Sequence, residues 1–476
     1  MSELVLCIKK LNNSKSNDPT GINNFILKKL PQNSLQGLLK LYNKCLTENS
    51  MPSEWKTAEI TMIPKKANDK SDYNNYRPIS KTPCLAKLFE RLIAVRLNDF
   101  LKKNNILIKY QSGFRQNRST RDNIFHLTQK VAESFNRSKK VCAIFFDIAA
   151  AFDKVWHNGL IYKLTKMKLP LYLINWFIEF LKNRKFKVKV NNYTTDEFDI
   201  TSGVPQGAVL SPTLFSIFIN DIPTNSLQNQ QYSLLFADDL AFYYIYRRNP
   251  TNVSKKINEH LNKIQKWLNL WRLKMAPHKC NYLVFTNSNS DVSNELNLVL
   301  NGTKLIKDNS PTFLGIRFDH HLTFRNQIEY LKKTCMDRLN IIKILAYKTW
   351  QLTKKTLIQI YNVLIRSVIE YSAIIAPIIS ATNLNMLQII QNNALRLILN
   401  KPKVTRTRIE HLHEEANIDM IDTRLTNLRK RYVLKAIHNN NPIIKDTISE
   451  YLNFRGDRYL NHKTLVCDMR EQIAVI

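Results

Sequence analysis

Two apolar runs stand out from a mixed chain. Val141–Ile148 (VCAIFFDI) is apolar except for Asp147, the length and composition of a buried central strand. Ser233–Tyr244 (SLLFADDLAFYY) is apolar on both sides of Asp238-Asp239 and reads as a hairpin with the two acids at its bend. Between them, Gly203 and Pro205 mark a turn over Thr201–Gln206. A helix is predicted from about Ser211 to Ile222, with Ser211 as N-cap and Pro212 in the first helical position. Ile257, Leu261, Ile264, Leu268 and Trp271 recur at helical spacing and predict a one-faced amphipathic helix over 254–273. A short strand is expected over Asn281–Thr286, just after Lys279. Beyond about Phe318 the pattern is helical, as at Ile421, Leu425, Leu428 and Tyr432. Residues 1–140 are polar, basic and mixed, with turn signals at Asp18-Pro19, Arg77-Pro78 and Ser112-Gly113. The order predicts an α+β protein: a basic α/β part, a mixed sheet with acids at strand ends, then a basic helical part.

The 476 residues suffice for two or three domains with cores of their own. The 44% hydrophobic and 23% charged content excludes a wholly disordered chain. Charge changes the picture more. Lys and Arg number 71 against 38 Asp and Glu, a net charge of +33. Residues 1–318 hold 47 basic and 24 acidic side chains, and residues 319–476 hold 24 and 14, so the surplus is no detachable tail. Charge of this kind points to a polyanionic partner, above all nucleic acid, although a merely basic protein has the same arithmetic.

The seven cysteines (Cys7, Cys45, Cys84, Cys142, Cys280, Cys335, Cys467) are odd in number and scattered, which indicates neither a zinc site nor a disulfide framework. The N-terminus lacks the apolar core of a signal peptide. The longest apolar stretch, around Ile374–Ile379, is short and contains Pro377. The expectation is an intracellular protein, in cytoplasm or nucleus, neither secreted nor in a membrane.

Asp147, Asp238 and Asp239 are the chemical anomaly. A carboxylate inside an apolar run is costly to bury unless something pairs with it. A single Asp at a strand end ordinarily caps a helix or turn. Two adjacent acids at a bend repel each other, and a hard cation such as Mg²⁺ neutralises them best. Strand alternation suggests Asp147 and Asp238 as the direct pair, with Asp239 at the edge or behind them. Three acids, two Mg²⁺ ions and a basic protein suggest two-metal phosphoryl or nucleotidyl transfer.

With those residues in place, a family resemblance emerges. Phe236–Asp239 (FADD) resembles the acidic box of reverse transcriptases, Phe145–Asp153 (FFDIAAAFD) their first acidic motif, and Ser202–Leu214 (SGVPQGAVLSPTL) the motif between. The finer resemblance is to non-LTR (LINE-class) retrotransposons of jockey-like type. Ile63–Lys65 (IPK), Asn75–Ser80 (NYRPIS) and Gly113–Thr120 (GFRQNRST) precede these boxes, and Phe313–Phe318 (FLGIRF) and the pattern at Leu387–Ile398 follow, so the likeness covers about residues 15 to 445. Ala150 and Leu240 depart from the residues usual there.

The resemblance implies a right-hand polymerase. Its parts would be fingers and an N-terminal extension over 1–140, a palm with an antiparallel sheet over 141–318 (reverse transcriptase domain about 60–318), and a helical thumb and C-terminal region over 319–476. It implies RNA-directed DNA synthesis with two Mg²⁺ ions held by Asp147, Asp238 and Asp239. The partners would be an RNA template, a DNA primer or RNA–DNA hybrid, and dNTPs; it names no protein partner. Lys65 and Arg77 match positions that grip the triphosphate, yet both read equally as solvated surface charge. Gln206 and Gly207 match the template-side turn, and Phe152 the steric gate under the sugar or an ordinary core aromatic. Lys279 matches a candidate general acid for pyrophosphate. Full elements of this class carry an endonuclease domain upstream, for which too few residues precede the motifs, so a polymerase-only piece is expected. The competing expectation is a catalytically decayed retroelement protein that only binds nucleic acid.

Overall fold

The computed structural model describes residues 1–65, 71–72, 75–224, 231–247, 250–402, 404, 406–453 and 462–474. The chain forms two compact units, each drawn from three segments. The first contains Met1–Phe114, Ile148–Pro223 and Lys263–Met275; the second contains Arg115–Asp147, Thr224–Asn262 and Ala276–Ile476. The boundaries expected at 140 and 318 both fall inside the second unit.

In the first unit, Tyr76–Lys81 pairs antiparallel with Thr57–Pro64, which pairs parallel with Arg184–Val190. The short strands Tyr193–Thr194 and Phe198–Ile200 both add to Arg184–Val190. A parallel partner requires a long crossover, which the intervening helices supply. One of them, Cys84–Lys103, buries Phe89, Ile93, Leu97 and Leu101 at four-residue spacing. Asp18 Oδ2 accepts from Cys84 N–H at 2.5 Å, occupying a donor that the start of that helix leaves free. Phe89 stacks on Tyr42 (4.7 Å) and meets Trp176 edge-on (5.4 Å), an aromatic centre to this core.

In the second unit the sheet order is Ile306–Lys307, Asn281–Phe285, Lys140–Asp147, Asp239–Tyr246, Gln231–Phe236. Lys140–Asp147 is the central strand, and Val141 through Phe146 are buried, as the apolar run predicts. The helix Thr120–Asn136, buried from Asp122 to Phe135, contributes Asn123, which donates to Leu235 O (2.9 Å), and His126, which bonds Tyr243 Oη (2.7 Å) and Thr447 Oγ1 (2.6 Å). A capping box between Ser119 and Asp122 starts this helix. The C-terminal part is helical, including Arg325–Leu345, Ala381–Ile398, Ile421–His438 and Pro442–Leu452.

Four sequence expectations are adjusted. The 254–273 pattern is the helix Pro250–Leu270, and all five of its apolar markers are buried. The helix expected to reach Ile222 ends at Phe218. Its N-cap is Leu210 rather than Ser211, because a buried carboxylate, Glu90, takes the free amide donors of Val209 (2.7 Å) and Leu210 (3.2 Å). In Ile421–His438 the buried stripe continues from Leu425 through Arg429 and Val433, not Leu428 and Tyr432. Arg429 is tolerated inside because Leu465 O and Asp468 accept its hydrogen bonds.

Among the described residues one helical run, Lys354–Ile378, is long and apolar enough to cross a membrane by length and composition. It passes through α, π and 3₁₀ turns, buries Leu357, Tyr361, Ile365, Ile369 and Ile374 in the unit's core, and carries the Arg366–Glu370 ion pair. The seven cysteines are free thiols.

Candidate active site

The register of the second unit's sheet fixes the acids. Phe236 and Asp239 are cross-strand partners, so Ala237 and Asp238 form a two-residue hairpin loop. Across the next pair of strands, Asp147 stands opposite Asp239. Paired residues of an antiparallel ladder share a face. Asp239 is therefore the direct neighbour of Asp147, and Asp238 occupies the turn, which reverses the order expected from simple alternation. Ala237 holds a left-handed φ of +56°, a conformation costing a residue with a Cβ roughly 1–2 kcal/mol.

Asp239 senses the other two carboxylates. Asp239 has its pKa pushed up to about 6, first because surrounding protein strips part of its hydration, then because Asp238 and Asp147 add negative charge. This happens although solvent still reaches the side chain. Lys279 ends a 3₁₀ turn ahead of the Asn281–Phe285 strand, and its Nζ lies 3.1 Å from Asp147 Oδ2. Ala276 N–H donates to Asp147 O (3.1 Å) and anchors that turn on the acid-bearing strand. The donor chemistry fits a hard divalent cation: oxygen only, and self-repelling as it stands. As placed, no three acidic, histidine or thiol side chains among the described residues converge to hold an ion, and Lys279 is the ion partner of Asp147.

The first unit holds the other candidates. The 201–210 turn lies along the outer edge of the Tyr76–Lys81 strand, where Ser80 N–H donates to Gln206 O (2.7 Å). A Cβ on Gly207 would stand 2.3 Å from Ser80 O, and the residue's φ is +130°, so only glycine fits. Gln206 Nε2 donates to Asp153 Oδ1 (2.9 Å), Val204 N–H to Phe152 O (2.9 Å), and the His157 ring bonds Gly203 O (2.7 Å). Phe152 is half-buried, stacked on Phe215 (4.6 Å) and edge-on to Phe114 (6.2 Å). Pro78, Ser80, Asp153 and Gln206 line a cavity of about 440 Å³ with Ile60, Met62, Phe186 and Val188. Lys65 and Arg77 are exposed, and alternation puts Arg77 on the opposite face of the sheet from this cavity. Lys65 N–H donates to Asn75 O (2.6 Å), which extends that pairing past the strand end.

Sequence reasoning missed Glu90, Asp153 and His157, which fix the 201–210 turn. Burial raises the Glu90 pKa, while Arg184 and the two amide donors oppose the rise. Glu90 carries a local signal, since it falls among the buried positions of an amphipathic helix. Another hairpin, Thr312–Phe313 with Ile316–Arg317, turns through Leu314 and Gly315, both at positive φ. Tyr371 Oη donates to Leu314 O (2.6 Å), and Phe313 lies 5.3 Å from the ring of Phe145.

The model of the family described as "Reverse transcriptase (RNA-dependent DNA polymerase)" matches residues 63–318, more than half of the chain. The chain belongs to the reverse transcriptase family. All nine candidate residues, from Lys65 to Lys279, lie within the matched span. The probable RNA-directed DNA polymerase from transposon BS of Drosophila melanogaster is 32% identical over 91% of this chain and 48% of its own length. The RNA-directed DNA polymerase from mobile element jockey of the same organism is 29% identical over 92% and 48%. The probable polymerase from transposon X-element is 27% identical over 83% and 43%. The resemblance to jockey-like non-LTR elements is thus borne out, and the fold class is the α+β one of right-hand polymerases. The chain spans about half the length of the curated relatives it matches. Among solved structures, apo telomerase from Candida Tropicalis aligns with 90% of this chain and 73% of its own, at 13% identity and a TM-score of 0.43.

Proposed function

We propose that the chain is an RNA-directed DNA polymerase of a non-LTR retrotransposon, extending a DNA primer on an RNA template with dNTPs by two-metal nucleotidyl transfer. The observation that carries the reading is the Asp147–Asp239 pairing beside Asp238, three acids whose mutual repulsion is felt at Asp239, in a chain of the reverse transcriptase family. Two Mg²⁺ ions, held by Asp147, Asp238 and Asp239, would supply an activated primer 3′-hydroxyl and charge neutralisation at the pyrophosphate.

The chain's own residues divide the remaining work. Lys279 shields Asp147 and, on releasing it, offers a proton to pyrophosphate. Lys65 and Arg77 neutralise the triphosphate. Gln206 and Gly207, fixed on Ser80 and Asp153, present a turn whose backbone lies close to the template base pair. Phe152, braced by Phe215, occupies the space of a ribose 2′-hydroxyl. An intracellular site of action accords with seven free thiols.

Primer extension on poly(rA)·oligo(dT) tests this. Wild-type protein should extend with Mg²⁺ and stop with EDTA. Asp147→Asn, near-isosteric but uncharged, should lose about 100-fold or more, because one metal ligand contributes several kcal/mol at the transition state. Extension by Asp147→Asn at the wild-type rate would refute the assignment.

A further inference from the structure

The register of the first unit's sheet makes its two faces unlike. On one side Ile60, Met62, Phe186 and Val188 line the cavity beside Gln206. On the other, pairing aligns Arg77 and Lys81 of one strand, Glu59 of the next, and Lys185, Lys187 and Lys189 of the third. Among the described residues of these three strands, that face has five cations and one carboxylate. Glu59 lies 3.9 Å from Lys189 Nζ, and Glu197, on the neighbouring loop, 3.4 Å from Lys185 Nζ. Lys185 and Glu197 are both half-exposed (47% and 43% accessible), and a pair of that kind holds weakly; Lys189 is itself 48% accessible, and Glu59, 13% accessible, stands only at the long limit of an ion pair from it.

We infer that this face is a docking track for the phosphate backbone of a single nucleic-acid strand, with Lys185, Lys187 and Lys189 as its phosphate contacts. Alternate residues of a strand are about 6.6 Å apart at ~3.3 Å per residue, so the three ammonium groups form a regular row. Successive phosphates of an extended single strand present charge at a comparable repeat. Three strands about 4.8 Å apart give a face roughly 10 Å across. One backbone fits that width, whereas a B-form DNA duplex, whose major groove alone is about 12 Å wide, presents its two backbones too far apart. The rival account is that these lysines only solvate a sheet surface. It predicts that removing any three exposed lysines has the same consequence.

The test reads binding, so its result is independent of whether strand synthesis is confirmed. Anisotropy with a fluorescent oligo(rU) is measured across a KCl series for three proteins: wild type, the face triple Lys185→Gln/Lys187→Gln/Lys189→Gln, and the control triple Lys40→Gln/Lys44→Gln/Lys103→Gln. The control removes equal charge from exposed helix positions of the same unit. Surface changes of this kind are usually worth within ±0.5 kcal/mol of stability, and matching melting curves confirm an intact fold before binding is compared. Each lost contact to a single strand removes about 0.7 from the log–log salt slope, so the face triple should be shallower by about 2 and the control unchanged. Equal changes in both triples, or none in the face triple, would overturn the track. An equal loss on a blunt B-form DNA duplex would overturn its assignment to a single strand.

Discussion

Asp239→Asn should make the metal-free protein more stable while removing strand synthesis. The Asp239 carboxyl titrates near 6 in the fold against 3.8 as its ordinary value, because lost hydration and the charges of Asp238 and Asp147 disfavour its ionised form. The folded state therefore holds the proton more tightly than the unfolded one. Stability falls as pH rises from about 4 to about 6 and stays low above that. A shift of about 2 units at 1.36 kcal/mol each sets a ceiling near 3 kcal/mol. Solvent reaches this side chain, so screening cuts the figure to about 1 kcal/mol. Asparagine has no charge to repel and removes the penalty.

Urea titrations in EDTA would read this directly. At pH 7.5 the variant should gain about 1 kcal/mol over wild type, and at pH 4, where the wild-type carboxyl is itself protonated, the gain should vanish. Millimolar Mg²⁺ should stabilise wild type and close the gap, since the cation neutralises what the substitution deletes. Asp196→Asn, on an exposed loop, controls for loss of any one acid. A variant as stable as wild type at both pH values would show that the three carboxylates do not repel, and the metal assignment would lose its electrostatic basis.

Gly207→Ala should cost about 3 kcal/mol by chemical denaturation, from a Cβ placed 2.3 Å from Ser80 O at a φ of +130°; a neutral substitution would mean that the turn is not held against that strand. Phe152→Val should shift sugar selectivity toward ribonucleotides by roughly 10- to 200-fold in single-nucleotide incorporation. Because the ring also stacks on Phe215, a modest drop in melting temperature should accompany the change, and a drop without altered selectivity would make Phe152 a packing residue only.

What the sequence discloses here is what lies close together in it. The Lys140–Asp147 strand, the FADD hairpin and the Pro250–Leu270 helix each carry their whole signal within about twenty residues. The order of the acids is legible too: a two-residue hairpin loop centred on Ala237-Asp238 makes Asp239, not Asp238, face Asp147. Pairings between distant segments left no trace. Nothing local shows that Thr57–Pro64 runs parallel to Arg184–Val190, and the alternating lysines of RKFKVKV become a row on one face only through that pairing. Lys163 is similar. It reads as a surface lysine, yet it is buried 3.6 Å from the Trp271 ring centroid, with Asp221 and Phe218 O as partners and its pKa lowered to about 8 by burial.

The places where residues defy their local preference are also where chemistry is proposed. Ala237 takes a left-handed φ that glycine or asparagine would hold more readily, and so sets Asp238 at the tip of the turn with Asp239 opposite Asp147. Glu90 is buried, a costly position for a carboxylate, and in return fixes the backbone just after Gly207. Stability alone would favour glycine at 237 and an apolar side chain at 90. Strain and buried charge persist where neighbouring structure over-determines them. At Ala237 that support comes from paired strands on both sides, and at Glu90 from two amide donors and the charge of Arg184. A chain drifting free of catalysis would have no reason to keep three repelling carboxylates on a strained turn, since exchanging Asp239 for a neutral residue would stabilise the fold. Their presence together therefore weighs against the decayed-element reading and for retained polymerase chemistry.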